Sequence, residues 1–245
     1  MLYKIAHPLN IFLYVTVIFL NPGQSFAQKM TISQYGVPVL DKVDGYMQII
    51  GKDSAKRMLE LRTLAPGLVY DLRYASTNNF MKKRMYPKST RHTFLRAPAA
   101  RALASVQQQL NQQGYGLKIF DAYRPYSVTV AFWEPIKDER YVANPAKGSG
   151  HNRGLAVDLT LIDLNTNKEL DMGTGFDNFT DTAHHAFTNK LPEAVQKARG
   201  LLKTTMEKNG FTAMETEWWH FYWPNDRNYE VLDIAFGKLL NQSKR

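Results

Sequence analysis

Apolar positions along the chain recur with two periods, and each period predicts a different element. Alternation with period two marks strands. It runs through Leu68-Val69-Tyr70-Asp71-Leu72-Arg73-Tyr74, through the short block 117–120, and through 154–162. In the last of these, Leu155, Val157, Leu159 and Leu161 share one face and Ala156, Asp158 and Thr160 the other. An aromatic block over 217–223 predicts a further strand. Spacings of three and four mark helices. Leu103, Val106 and Leu110 follow Pro98 and stop at Gly114, and Val195, Ala198, Leu202 and Met206 lie within 192–208 and stop at Gly210. Shorter patterns predict a helix over 128–133 ended by Pro135, and a closing helix over 229–240. Residues 28–60 read as an extended arm, 76–95 as irregular, and 138–150 as a loop. Strands and helices do not alternate strictly. The expected class is therefore α+β, a small mainly antiparallel sheet with helices packed on it, in one domain spanning 28–245.

The strongest apolar run is 11–20, interrupted only by Thr16, preceded by Lys4 and followed by Asn21-Pro22-Gly23. Ser25-Phe26-Ala27 places small residues where a signal peptidase reads. The pattern predicts a signal peptide over 1–27, cleaved after Ala27, and an exported protein, periplasmic or secreted. The run falls short of the ~20 residues a membrane-spanning helix needs, so no stable membrane insertion is expected after cleavage.

Composition narrows the function classes. Hydrophobic residues make up 44% and charged residues 22%, enough apolar chain for a packed core. The absence of cysteine excludes disulfides, thiolate metal sites and thiol nucleophiles. The formal charge is +9, and Lys82, Lys83, Arg84, Lys88 and Arg91 share one stretch without an acid. The export signal argues against a nucleic-acid partner, so the run reads as a solvated loop, with attraction to an anionic cell envelope as the weaker alternative.

Candidate chemistry concentrates in two segments. In Ser149-Gly150-His151-Asn152-Arg153-Gly154, a glycine-rich turn feeds the strand that carries Asp158. A carboxylate inside so apolar a strand is costly unless a cation or hydrogen-bond donors compensate it. In Glu217-Trp218-Trp219-His220-Phe221-Tyr222-Trp223, a carboxyl and an imidazole sit among five aromatic residues. Aromatic walls exclude water and raise a carboxyl pKa toward the range of a general base. His151, Asp158 and His220 together make a ligand set of two nitrogens and one oxygen. Three protein ligands with an open fourth position are the mark of catalytic zinc. Glu217 is then the base for a water, and Arg124, held between Tyr123 and Pro125, the positive charge facing a developing oxyanion.

These segments resemble a known family. S-G-H-N-R-G-L-A-V-D at 149–158 and E-W-W-H at 217–220 are similar to the metal-site signatures of the D-alanyl-D-alanine peptidase family of zinc enzymes. D-L-R-Y-A at 71–75, N-N-F at 78–80, G-L-K-I-F-D-A-Y-R-P at 116–125, D-L-T-L at 158–161 and M-G-T-G-F-D at 172–177 resemble its VanX-type dipeptidase branch. The resemblance covers about 60–225 in order. It implies a hedgehog/D-Ala-D-Ala peptidase-like fold and one Zn2+ per chain on His151, Asp158 and His220. It implies Glu217 as base, Arg124 as transition-state stabiliser, and Tyr74, Ser149 and Asp177 as substrate contacts. The implied substrate is the D-Ala-D-Ala dipeptide, whose free ammonium suits Asp177 and the Tyr74 phenol.

Two rival readings remain at this level. One is a D,D-carboxypeptidase or peptidoglycan endopeptidase of the same family. The other is a non-catalytic zinc-stabilised binding module, as the related hedgehog signalling domain illustrates. The pairing of Glu217 with Arg124 argues against the second, since a structural site needs neither.

Overall fold

The computed structural model describes residues 30–243, and the predicted signal peptide, 1–27, lies outside them. The chain starts with β1 (Thr31–Ile32) and β2 (Pro38–Leu40), followed by α1 (Val43–Lys52) and β3 (Met58–Glu60). A single turn, α2 (Leu61–Leu64), leads to β4 (Val69–Tyr70), and β5 (Phe94–Arg96) runs directly into α3 (Ala97–Asn111). Next come β6 (Tyr115–Asp121), α4 (Tyr126–Ile136), α5 (Gly150–Arg153) and β7 (Ala156–Asp163). The C-terminal third holds α6 (Glu193–Lys208), β8 (Thr212–Met214), β9 (Glu217–Tyr222), β10 (Val231–Leu232) and α7 (Phe236–Ser243).

The main sheet has the order β4-β6-β7-β9-β8, and only the β4–β6 pair is parallel. This is the small, mainly antiparallel sheet the patterning predicts. Val157, Leu159 and Leu161 of β7 pack with Leu103, Val106 and Leu110 of α3 and Leu202 and Met206 of α6. The opposite face of β7 is buried as well, down to Asp158 and Thr160. A second apolar cluster joins Tyr46, Ile49, Phe94, Tyr123, Phe132 and Phe236. Among the described residues no helix is long and apolar enough to cross a membrane.

Several local expectations are corrected. The described part of the predicted arm 28–60, residues 30–60, is not simply extended. It holds α1, whose Tyr46, Ile49 and Ile50 are buried at helical spacing, and the Tyr46 hydroxyl accepts a bond from the Met58 N–H at 2.7 Å. The predicted strand 68–74 pairs with β6 only at Val69 and Tyr70, then leaves the sheet in a 3₁₀ turn, Arg73–Ala75. The predicted helix 229–240 is two elements. Val231 and Leu232 pair in parallel with Val39 and Leu40, and the helix begins at Phe236. That pairing joins opposite ends of the described chain, which local periodicity does not encode. Pro135 lies inside the last turn of α4, which ends at Lys137 in the left-handed region.

Candidate active site

His151 is presented by α5, where the glycine-rich turn expected from the sequence is a single helical turn. The Ser149 hydroxyl accepts from the Asn152 N–H at 3.1 Å and the Asn152 side chain accepts from the Ser149 N–H at 3.0 Å, a reciprocal cap. The turn closes at Gly154, where φ is +69° and a Cβ would stand 2.5 Å from the Met58 methyl, a position that favours glycine. The His151 Nδ1–H donates to the Ala122 carbonyl at 2.7 Å, which turns Nε2 toward β7 and β9.

Asp158 and His220 are cross-strand partners in the β7–β9 ladder. His220 Nδ1 lies 2.8 Å from Asp158 Oδ1, and His151 Nε2 lies 3.4 Å from Asp158 Oδ2 and 3.3 Å from His220 Nδ1. Burial alone would raise the Asp158 pKa, but the two imidazoles outweigh it and hold the carboxyl well below the usual range. Burial pushes His220 down, yet the bond to Asp158 leaves it above its ordinary value. The three donor atoms lie within 4.8 Å of one another. Two ligands about 2.0–2.1 Å from a tetrahedral zinc stand roughly 3.3 Å apart, so the His151–His220 and His151–Asp158 spacings fit such an ion.

Glu217 Oε2 lies 3.9 Å from His220 Nδ1. An ideal strand would send residues three apart to opposite faces. Here the β8–β9 ladder breaks between Ala213 and Met214, and Met214 pairs with Glu217. The Glu217 pKa is raised by burial, with the Asp158 charge adding to it.

Arg124 is locked from behind. Its Nε and terminal nitrogen donate to Asp121 Oδ2 at 3.0 and 2.9 Å, and the Tyr86 hydroxyl donates to Asp121 Oδ1 at 2.7 Å. The guanidinium lies over the rings of Tyr74 and Phe132, 3.9 Å from Asp158 Oδ2. The turn that carries it is tied to α5, since Asn152 Nδ2 donates to the Arg124 carbonyl at 2.8 Å. Asp121, Tyr86 and Asn152 are the supporting residues that sequence reasoning missed. The D-A-Y-R-P segment contained the one available signal, an acid three residues before Arg124 and predicted to end a strand.

Tyr74 and Asp177 line the same cavity. The Tyr74 hydroxyl donates to Asp177 Oδ1 at 3.1 Å, and the Phe80 N–H donates to Oδ2 at 3.4 Å. Burial, helped by the Asp158 charge, pushes the Asp177 pKa up to about 7. All eight residues singled out in the sequence line one cavity of about 220 Å³: Tyr74, Arg124, Ser149, His151, Asp158, Asp177, Glu217 and His220. Ser149 lines it while its hydroxyl oxygen caps α5. Of the other described histidines, His92, His184 and His185, none lines this cavity, and His92 pairs with Glu60.

A convergent pair of imidazoles and a carboxylate, opening on a cavity that also holds a water-shielded carboxyl and a guanidinium, places the protein among the metallopeptidases. More narrowly, the chain belongs to the peptidase M15 family described as D-ala-D-ala dipeptidase, whose family model matches residues 54–236. The D-alanyl-D-alanine dipeptidase of Escherichia coli K12 is 37% identical over 184 residues, covering 75% of this chain and 93% of that protein. The enzyme of the same name from Enterococcus faecalis is 30% identical, covering 66% of this chain and 89% of its own. A solved LdcB LD-carboxypeptidase overlays with a TM-score of 0.36 at 21% identity, over 56% of this chain and 62% of that one. The protein is thus a peptidase of a family of dipeptide-hydrolysing enzymes.

Proposed function

We propose that this protein hydrolyses free D-Ala-D-Ala, with one zinc ion held by His151, Asp158 and His220 and Glu217 as the general base. When bound, zinc supplies a Lewis acid that acidifies water and polarises the scissile carbonyl. The chain's own groups do the rest. Glu217, its pKa raised by burial, takes the proton of the attacking water and returns it to the departing amine. Arg124, held in place by Asp121, faces the developing oxyanion. Asp177 and the Tyr74 hydroxyl receive the substrate ammonium, and Ser149 donates its hydroxyl proton to the bound dipeptide.

The observation that carries the dipeptide reading is the hydrogen-bonded Tyr74–Asp177 pair lining the same cavity as His151, Asp158 and His220. A free dipeptide brings an ammonium to that carboxylate; an N-acylated peptide brings none and leaves it unpaired. An unpaired buried polar group costs about 1–3 kcal/mol, more when charged, which is a large discrimination before any steric clash. The predicted leader, read with this activity, makes the substrate pool exported or envelope-derived peptide. The test is a digest of D-Ala-D-Ala beside an N-acetylated tripeptide ending in D-Ala-D-Ala, with metal content measured on the same sample. The dipeptide is expected to be cleaved far faster. A faster tripeptide would put the carboxypeptidase alternative in its place.

A further inference from the structure

Asp177 stands on a long excursion between β7 and α6, with its backbone in the left-handed region at φ 61°. A non-glycine residue holds that conformation at a cost, so the surrounding structure must impose it. The tip carries Phe176, Asp177 and Phe179, and the segments on either side of it are anchored by one side chain. Arg199 of α6 is 2% exposed. Its Nε donates to the Met172 carbonyl at 2.8 Å, and one terminal nitrogen donates to the Thr182 carbonyl at 2.8 Å. The other terminal nitrogen donates to the His184 carbonyl at 3.2 Å and the Thr188 hydroxyl at 3.4 Å. These partners are all neutral oxygens, and they bracket Asp177 from both sides. The same loop receives one bond from β9, where Trp218 Nε1 donates to the Thr174 hydroxyl at 2.8 Å. The Arg199 guanidinium lies 6.0 Å from the centroid of that indole.

We propose that Arg199 is a positioning residue that fixes the Asp177 carboxylate and thereby sets the enzyme's demand for a free substrate amino group. This rests on the reading of Asp177 as the acceptor of the substrate ammonium. Among the described residues no carboxylate pairs directly with this buried guanidinium, which makes it expensive to keep. The planar fork accounts for its presence, because it alone can hold three carbonyls in fixed directions at once. A lysine keeps the charge and much of the bulk but is a single point with no fork. The tip would then lose its common anchor, and the carboxylate would lose its place opposite Tyr74, while the metal ligands on α5, β7 and β9 would stay where they are.

The test uses the zinc-loaded full chain and steady-state kinetics on D-Ala-D-Ala and on N-acetyl-D-Ala-D-Ala. Arg199→Lys is expected to raise KM for the dipeptide on the order of tenfold to a hundredfold, the scale of a misplaced binding group. Its kcat and zinc content should stay near those of the unmodified enzyme, and its rate on the acetylated compound should be unchanged. Amide exchange over 173–184 should quicken. The double variant Arg199→Lys/Asp177→Asn should be little worse than Asp177→Asn alone, since groups acting through one contact are not additive. Thr174→Val, which removes the β9 anchor of the same loop, should show the same pattern in milder form and serves if Arg199→Lys fails to fold. Equal losses on both substrates, or an additive double variant, would overturn the role of Arg199 and leave that of Asp177 intact. If Asp177→Asn alone leaves the dipeptide preference untouched, the ammonium reading falls and this inference falls with it.

Discussion

Asp158 and His220 face each other across the β7–β9 ladder, and the carboxylate meets the imidazole Nδ1 at 2.8 Å. Backbone register therefore sets this pair of donors, and the α5 turn delivers His151 as the third. The expectation is about one zinc per chain, with hydrolysis abolished by a chelator and restored by added zinc. His220→Ala should lose metal and activity together. Normal zinc content in that variant, measured by atomic absorption, would remove His220 from the ligand set.

Glu217 Oε2 lies 3.9 Å from His220 Nδ1, outside the proposed ligand set. Glu217→Gln should keep both the fold and the zinc while turnover drops by at least ~10²-fold, the usual cost of losing a general base. Single-turnover kinetics on metal-assayed protein check this. Retained turnover would reduce Glu217 to a wall residue, and lost zinc would make it a ligand.

Asp121 is fully buried, and its carboxylate is shared between Arg124 and the Tyr86 hydroxyl. Removing one partner of a buried ion pair typically costs about 3–5 kcal/mol, because the other charge is left uncompensated. Asp121→Asn is expected to destabilise the protein on that scale in denaturant titrations and to lower kcat by freeing the Arg124 fork. Tyr86→Phe removes only the supporting bond and should lie between that variant and the unmodified enzyme. A kcat unchanged in Asp121→Asn would show that Arg124 needs no lock.

Asp177 gives the pH dependence a definite sign. Its ordinary carboxyl pKa of 3.8 is pushed up to about 7 by burial and the Asp158 charge, opposed by Phe80 N–H, the Tyr74 hydroxyl and Arg124. The folded state then holds the proton more tightly than the unfolded chain does. This contribution to stability is complete below about pH 4 and lost as the pH rises through about 7. Asp177→Asn has no proton to lose. In the metal-free protein, where no cation masks Asp158, the Tm of the variant relative to the unmodified chain should climb between pH 4 and 7 and level off above. A flat difference would mean Asp177 titrates as an exposed carboxyl.

Much of the protein was legible from the sequence because its signals are local. The heptad-like spacing of Leu103, Val106 and Leu110 specifies a helix wherever that helix packs, and the alternation through 155–161 specifies which side of β7 faces α3 and α6. The same alternation isolates Asp158 as an acid needing partners, and the flanking motifs supply them in His151 and His220. All eight candidate residues line one cavity.

Tertiary structure alone decided how those groups are held. Period does not reveal that residues 231 and 232 pair with 39 and 40, so a strand and a helix blend into one apparent helix over 229–240. Nor does it reveal the break in the β8–β9 ladder that accompanies the approach of Glu217 to His220, since a regular strand would separate them. Tyr86 reaches Asp121, and Arg199 reaches the segments flanking Asp177, only after distant parts of the chain have packed. The physical reason is the same each time. Side-chain periodicity encodes the faces of single elements, whereas register, ladder breaks and buried polar anchors arise from contacts between segments far apart in sequence, which leave no periodic trace in either one.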